Sequence, residues 1–180
     1  MKGLIMSYIV QKKIAKIFKQ EVQKKCFEHV SVAKIMQLAD MRRQSFYDNF
    51  TDKYDLLEWI LRSIMEDNIE SNLDYLEWSE IISHVFFDIQ ENAPFYRSIL
   101  ESQVEIDVVK EIAWHIQVLL LHILKKNGLT KPRQAYDFIE TYCLDLAYTM
   151  TNNLFLPDPK EYDELAQKVI NAIEFAFKNH

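Results

Sequence analysis

The sequence predicts an all-α fold. Only two glycines and four prolines occur in 180 residues, so few positions interrupt a helix. Apolar residues make up 49% of the chain and recur at helical spacing over long stretches. A chain of this length can bury one good-sized core or two smaller ones, so we expect at most two structural units.

The first two helices are predicted from apolar periodicity and one capping residue. Residues 8–25 form an amphipathic pattern, in which apolar residues recur near helical spacing and six lysines lie between them in the sequence. Ser31 is a suitable N-cap for a short second helix. The inward positions expected for the first helix are Ile9, Ile14, Ile17, Phe18 and Val22, and those for the second are Val32, Ile35, Met36 and Ala39.

The stretch "LADMRRQSFYDNF", residues 38–50, predicts a tight turn followed by a third helix. Phe46 and Phe50 lie four residues apart and therefore on one helical face, which we expect to be buried. Thr51 and Asp52 cap and charge the start of a fourth helix. Its expected inward residues are Leu56, Leu57, Ile60, Leu61 and Ile64.

The rest of the chain predicts further helices with short breaks. A helix from residue 80 ends before Pro94, and a short one covers residues 95–102. A long helix ends on Lys125, Lys126, Asn127 and Gly128, the cations and glycine expected at a helix C-terminus. Two more follow, one starting at Pro132 and stopping before Pro157, and a last one that buries Leu165, Val169, Ile173 and either Ala176 or Phe177.

Charge is distributed unevenly along this acidic chain. The first 55 residues hold eleven Lys or Arg and six Asp or Glu, a net charge of +5. The total is −6, so the remaining residues carry −11. A basic N-terminal part on an acidic body suggests that the N-terminal part meets a polyanion.

The predicted third helix has the side chains of a DNA recognition helix. Arg42 and Arg43 lie at its N-terminal end, the part that contacts base edges in the major groove. Arginine can pair with guanine O6 and N7, and Gln44 with adenine N6 and N7. We expect contacts to phosphate oxygens from the side chains of Ser45, Tyr47, Asn49 and Lys53.

Residues 31–57, "SVAKIMQLADMRRQSFYDNFTDKYDLL", resemble the helix-turn-helix signature of the TetR family of transcriptional regulators. The resemblance includes Phe46, Tyr47, Phe50, Lys53, Leu56 and Leu57. It implies a DNA-binding domain over residues 1–52 and a helical effector-binding and dimerisation domain over residues 53–180. It also implies a homodimer through the last two helices, on a pseudo-palindromic DNA operator.

The form "MRRQ-S-FY" is similar to a TetR subgroup associated with control of dihydroxyacetone kinase genes. For that subgroup the resemblance implies a small-molecule effector or a kinase-like co-regulator protein. Three positions depart from the family pattern: Asp40 replaces a turn glycine, Arg42 replaces an N-cap serine and Gln44 replaces a small residue. We interpret these departures as determinants of operator choice. Asp48 either pairs with Gln44 or accepts a hydrogen bond from cytosine N4.

Some residues of the acidic part allow either a functional or a structural interpretation. Trp114, Tyr142, Tyr148 and Met150 either line an effector pocket or belong to the core. Asp145 lies in the apolar segment "YCLDLAY" and suggests an interface or effector role, because burial of an unpaired carboxylate is costly. Glu111, His115 and His122 share a helical face but lack a fourth metal ligand, which favours a partly solvated or hydrogen-bonded face.

Several functional classes have little support. Cys26 and Cys143 match no zinc spacing, and no glycine-rich phosphate loop or nucleophile motif occurs, so we expect no metal, no cofactor and no enzymatic activity. No segment matches a signal peptide or a membrane span, which predicts a soluble cytoplasmic protein. The competing hypothesis is an all-helical protein-interaction module without specific DNA binding.

Overall fold

The computed structural model describes residues 2–102, 106–126 and 133–178. Every regular element within these residues is helical, which confirms the all-α fold. The α-helices are α1 (Lys2–Lys24), α2 (Val32–Leu38), α3 (Gln44–Tyr47), α4 (Lys53–Asn68), α5 (Trp78–Glu91), α6 (Ala93–Glu101), α7 (Val108–Lys126), α8 (Arg133–Asn152) and α9 (Tyr162–Lys178). Short 3₁₀ helices cover Phe27–His29, Glu70–Asn72 and Asn153–Phe155.

The chain divides into two compact units. The N-terminal unit comprises Met1–Leu61 and Pro94–Asp107, and the C-terminal unit comprises Arg62–Ala93 and Val108–His180. The sequence predicts a domain boundary between residues 52 and 53, immediately before α4. In the structure the N-terminal unit extends further, to Leu61 within α4. Leu56, Leu57, Ile60 and Leu61 in this part of α4 are all buried.

An aromatic core organises the N-terminal unit. The ring of Phe18 in α1 lies 5.9 Å from that of Phe27, and Phe27 lies 5.3 Å from Tyr54. Phe50 contacts Phe46 and Trp59, with ring centroids 5.6 and 5.8 Å apart. Side chains of α1 and α3 therefore pack on the same apolar interior as the start of α4.

Burial along α1 and α4 follows the predicted pattern with three corrections. In α1, Ile14, Phe18 and Val22 are buried, but Ile17 is half-buried and Ile9 is 60% exposed. In α4, Ile64 is half-buried and Met65 is buried in its place. The buried face of a helix drifts because 3.6 residues per turn do not match a strict four-residue repeat.

The helix caps of the N-terminal unit are local and mostly as predicted. The hydroxyl of Ser31 accepts a hydrogen bond from the backbone N–H of Lys34 at 3.3 Å. Asp52 Oδ1 accepts from the backbone N–H groups of Tyr54 and Asp55 at 2.8 and 2.9 Å, so Asp52 is the cap of α4. Thr51 contributes only its backbone N–H, which donates to the Asp55 carboxylate at 2.7 Å.

Asp40 ends α2 in the left-handed conformation, with φ of 51°. The backbone N–H of Met41 donates to Met36 O at 3.0 Å, and that of Asp40 donates to Gln37 O at 3.2 Å. These two bonds form a Schellman motif, in which glycine is the usual residue at the position of Asp40. The chain thus makes the expected turn with a residue for which a positive φ costs energy.

The C-terminal unit is built from α7 packed against α8 and from α5 packed against α9. The connection between α8 and α9 is held by the buried side chain of Asn153, which exchanges two 2.9 Å hydrogen bonds with the backbone of Lys160. In α9, Leu165 and Ile173 are buried as predicted, whereas Val169 is half-buried and Ala176 is exposed. The predictions for Asn127, Gly128, Pro132 and the Phe177 side chain lie outside the described residues.

Candidate nucleic-acid interface

Helix α3 is one turn long, and two buried phenylalanines fix its position. Phe46 is fully buried and Phe50 is 2% exposed, which confirms the predicted core face. Arg43, not Arg42, is the N-cap of this helix, and it makes no side-chain capping bond. A four-residue helix has little stability of its own, so tertiary contacts must hold α3 in place.

The opposite side of this turn is a polar surface, which we call the α3 outer face. Its members are the exposed residues Arg42, Arg43, Gln44, Tyr47 and Asp48. Arg43 Nη2 donates to the Tyr47 hydroxyl at 3.0 Å, and the guanidinium carbon lies 5.5 Å from the centre of the Tyr47 ring. This contact fixes the direction of the Arg43 side chain at the surface.

A second pair lies beside the first on the α3 outer face. Gln44 Nε2 donates to Asp48 Oδ1 at 3.0 Å, which confirms the predicted pairing of residues four apart. The two pairs place a guanidinium group and an amide on the same exposed surface. Both groups have hydrogen-bonding atoms left for a ligand, because each pair uses only one donor from the longer side chain.

Asn49 and Ser45 lie at the edge of this surface and are half-buried. Asn49 Nδ2 donates to the backbone oxygen of Ser45 at 2.8 Å, and Asn49 Oδ1 accepts from the Ser7 hydroxyl at 2.7 Å. Both ends of the Asn49 amide are therefore used inside the protein. Sequence reasoning missed Ser7, because its partner is 42 residues away along the chain.

Lys53 has a different position from the one that the sequence predicts. Its ammonium nitrogen lies 3.1 Å from both Phe27 O and Glu28 O and 3.5 Å from Val30 O. It also lies 4.5 Å from the centre of the Phe27 ring. The ammonium group has three hydrogens, and each has a carbonyl acceptor, so this geometry opposes a phosphate contact by Lys53.

The carbonyl oxygens around Lys53 belong to the first two residues of the 3₁₀ helix Phe27–His29 and to Val30, which follows it. Each is an acceptor for one hydrogen of the ammonium group. Burial lowers the pKa of Lys53, and the nearby Glu28 carboxylate opposes this shift. The pKa of Glu28 is itself lowered, first by a hydrogen bond from its own backbone, then by Ser102 and by the charge of Lys53.

A polar cluster surrounds the buried His115 in the C-terminal unit. His115 is fully buried, and its Nδ1 lies 2.6 Å from Glu70 Oε1, while its Nε2 lies 3.6 Å from Glu111 Oε1. Arg62 Nε is 3.7 Å from the same Glu111 oxygen. In the part of the chain that the structure describes, no three metal-ligating side chains are arranged to hold an ion. His115 is thus inside the protein and not on a solvated face, and its Nδ1 contacts Glu70, a residue outside the predicted set.

The predicted effector residues differ in exposure. Trp114 and Tyr148 are more than half exposed, Tyr142 is half-buried and Met150 is fully buried. Asp145 is exposed, so its charge carries no burial cost and gives no sign of an effector role. A cavity of about 150 Å³ lies elsewhere in the C-terminal unit, lined by Leu73, Leu76, Glu77, Trp78, Ile81, Leu119, His122, Ile123 and Lys126.

No membrane-spanning candidate occurs among the described helices, since none is both long and apolar enough. No protein-family model matches the chain. Over 93 residues, the chain is 39% identical to the "HTH-type dhaKLM operon transcriptional activator DhaS" of Lactococcus lactis subsp. lactis (strain IL1403). This match covers 52% of the chain and 50% of the relative, so the chain spans about half the length of that protein.

The fold is also similar to a solved structure. The structure is described as "Dihydroxyacetone kinase operon activator DhaS", and it matches 95% of this chain and 97% of its own with a TM-score of 0.81. The sequences are 23% identical over this match. The helical architecture is thus shared over nearly the whole chain.

Proposed function

We propose that this chain is a sequence-specific DNA-binding regulator of transcription, with α3 as the helix that enters the major groove. The observation that carries the proposal is the α3 outer face, where Arg43 and Gln44 are presented together by a turn anchored through Phe46 and Phe50. Arginine and glutamine are the side chains that form bidentate pairs with guanine and adenine.

The residues of this surface have separate proposed roles. Arg42, Arg43 and Gln44 contact base edges, and Ser45 and Tyr47 contact phosphates. Asn49 and Lys53 act inside the protein, because their polar atoms are engaged by Ser7, Ser45 and three backbone carbonyls. Mutations at these two positions should therefore affect the position of α3 and the stability of the unit before they affect phosphate binding.

The relatives support a narrower role. Both similar proteins are named as activators of a dihydroxyacetone kinase operon, so we propose that this chain is a TetR-like regulator of dihydroxyacetone kinase genes. It would then act in the cytoplasm, together with the DNA. Its regulatory partner would be a kinase-like co-regulator protein or a small-molecule effector. The cavity beside Trp78 and His122 is one location for a small-molecule effector.

We further propose a homodimer formed by α8 and α9. Both helices carry large apolar side chains in solvent: Leu144 and Tyr148 are 42% and 58% exposed on α8, and Phe175 is 73% exposed on α9. Exposed apolar side chains of this size favour burial at an interface. A two-fold dimer would place two copies of α3 in successive major grooves, about 34–36 Å apart, on a pseudo-palindromic operator.

The proposed function is tested by selecting binding sequences from random duplexes with purified protein. A regulator selects a pseudo-palindromic sequence and retains it at moderate salt, whereas a protein-interaction module without specific DNA binding selects none. Arg43→Ala should lose about 1–3 kcal/mol of discrimination at one base pair of each half-site. Lys125→Ala, an exposed position of the C-terminal unit that does not line the cavity, is the control and should bind the same sequence as the wild type. An equal loss of affinity for the operator and for random duplex in Arg43→Ala would refute base recognition by this arginine.

A further inference from the structure

The hydrogen bond between Gln44 and Asp48 fixes which end of the Gln44 amide points away from the protein. Gln44 Nε2 lies 3.0 Å from Asp48 Oδ1. An ionised carboxylate has acceptors only, so the nitrogen and not the oxygen of the amide must face Asp48. The amide orientation therefore follows from the chemistry of the pair.

This orientation leaves a defined set of atoms for a ligand. One of the two Nε2 hydrogens is used by Asp48, which leaves one donor and the acceptor Oε1. The pair lies on the α3 outer face, and both residues are exposed. The atoms left over are thus available to a molecule that approaches α3 from solvent.

We propose that Asp48 is a specificity-determining residue, which acts by orienting Gln44 so that Gln44 recognises adenine and discriminates against guanine. This inference rests on the proposed function, since it applies to α3 in the major groove. Asp48 itself contacts no base in this arrangement.

The base edges explain the discrimination. Adenine presents an N6 donor and an N7 acceptor, which match Oε1 and the remaining N–H of Gln44. Guanine presents two acceptors, O6 and N7, and the oriented amide has only one hydrogen to offer them. Thymine presents the O4 acceptor and a methyl group, and cytosine only the N4 donor, so neither uses both atoms of the amide.

The same argument explains a carboxylate on a DNA-facing surface. Phosphates repel a carboxylate, so a residue that served only affinity at this position would be neutral or basic. Asparagine is nearly the same size as aspartate but has both a donor and an acceptor. In Asp48→Asn the Gln44 amide can pair in either orientation, and the turned amide can present its nitrogen to guanine.

The test compares wild-type protein, Asp48→Asn and Gln44→Ala on four operator duplexes. The duplexes differ only at the base pair where Gln44→Ala abolishes the preference of the wild type. We expect the wild type to prefer adenine over guanine by about tenfold, and Asp48→Asn to reduce this ratio to about twofold or less. The preference at the base pair that Arg43→Ala identifies should be unchanged in Asp48→Asn, which controls for a displaced or unfolded α3.

Three results would overturn the assignment. The first is an equal gain of affinity for all four duplexes in Asp48→Asn, which would show that Asp48 acts only by charge. The second is a wild-type preference for guanine at the base pair assigned to Gln44. The third is equal binding of every duplex by the wild-type protein. This result would refute the proposed function itself, and it differs from the other two because no operator sequence is selected.

Discussion

The Ser7 hydroxyl donates a 2.7 Å hydrogen bond to Asn49 Oδ1, and this bond links α1 to the residues that follow α3. Asn49 Nδ2 in turn donates to the backbone oxygen of Ser45, within α3. The three residues form a relay from the first helix of the chain to the proposed recognition helix. Because α3 has only four residues, its position depends on such contacts as well as on Phe46 and Phe50.

Ser7→Ala removes the first bond of this relay. We expect a loss of about 1 kcal/mol, measured as a roughly fivefold weaker operator affinity by fluorescence anisotropy. Amide hydrogen exchange at Ser45 and Phe46 should become faster at the same time. Ser83→Ala removes a serine hydroxyl that bonds within α5 and should leave operator affinity unchanged. Unchanged exchange in Ser7→Ala would show that the relay does not hold α3.

Lys53→Met tests the role of the ammonium group inside the N-terminal unit. Methionine keeps much of the apolar stem but leaves the three carbonyl acceptors without a cation, so unfolding should become easier by about 2 kcal/mol. The measurement is the midpoint of urea unfolding, followed by circular dichroism. The slope of operator affinity against salt should stay the same, since Lys53 is not expected to release a phosphate counterion.

Lys13→Met is the matched control for Lys53→Met, because Lys13 is an exposed lysine of α1. It should leave the unfolding midpoint unchanged. If Lys53→Met instead lowered the salt slope by about one and kept its stability, Lys53 would be a phosphate contact, as the resemblance to the TetR signature implies.

Asp40→Gly should stabilise the protein. The φ of 51° at Asp40 costs energy for a residue with a Cβ atom, whereas glycine adopts it freely at the end of a helix. We expect a gain of about 1 kcal/mol in the free energy of unfolding, and a loss for Asp40→Ala. Thermal unfolding of the two variants measures the difference. Equal unfolding temperatures for Asp40→Gly and Asp40→Ala would contradict the argument from backbone conformation.

A charge on the exposed apolar positions of α8 tests the proposed dimer. Tyr148→Glu places a carboxylate where we expect an apolar interface, and it should weaken dimerisation at least about tenfold in sedimentation equilibrium. Tyr75→Glu is the control, because Tyr75 is 84% exposed but lies outside α8 and α9. Equal dimerisation of both variants would exclude this part of α8 from the interface.

The two cysteines should differ sharply in reactivity. Burial raises the pKa of Cys143 from 9.0 to about 12, so almost no thiolate forms at pH 8, whereas Cys26 is exposed. Ellman's reagent at pH 8 should react rapidly with Cys26 in the native Cys143→Ser variant. It should react only slowly with Cys143 in the native Cys26→Ser variant. Both variants should label completely in denaturant. Fast labelling of native Cys26→Ser would contradict burial of Cys143.

The sequence predicts those features whose partners are close along the chain. Helix periodicity identifies Phe46 and Phe50 as core residues, and spacing of four residues identifies the Gln44 and Asp48 pair. The cap at Ser31 and the left-handed turn at Asp40 also depend on a few consecutive residues. These predictions succeed because backbone geometry relates neighbours in the same way in any helix or turn.

The sequence alone determined that the protein is all-α and that the candidate DNA-contacting side chains lie around Arg43 and Gln44. Only the tertiary structure decided that Asn49 binds Ser7 and that Lys53 binds the carbonyl groups near Phe27, over separations of 42 and 26 residues. It also decided that Ile9 and Asp145 are exposed and that His115 is buried beside Glu70. The physical reason is that helical periodicity is a local property, whereas a partner or a burying surface from a distant segment depends on how the whole chain packs.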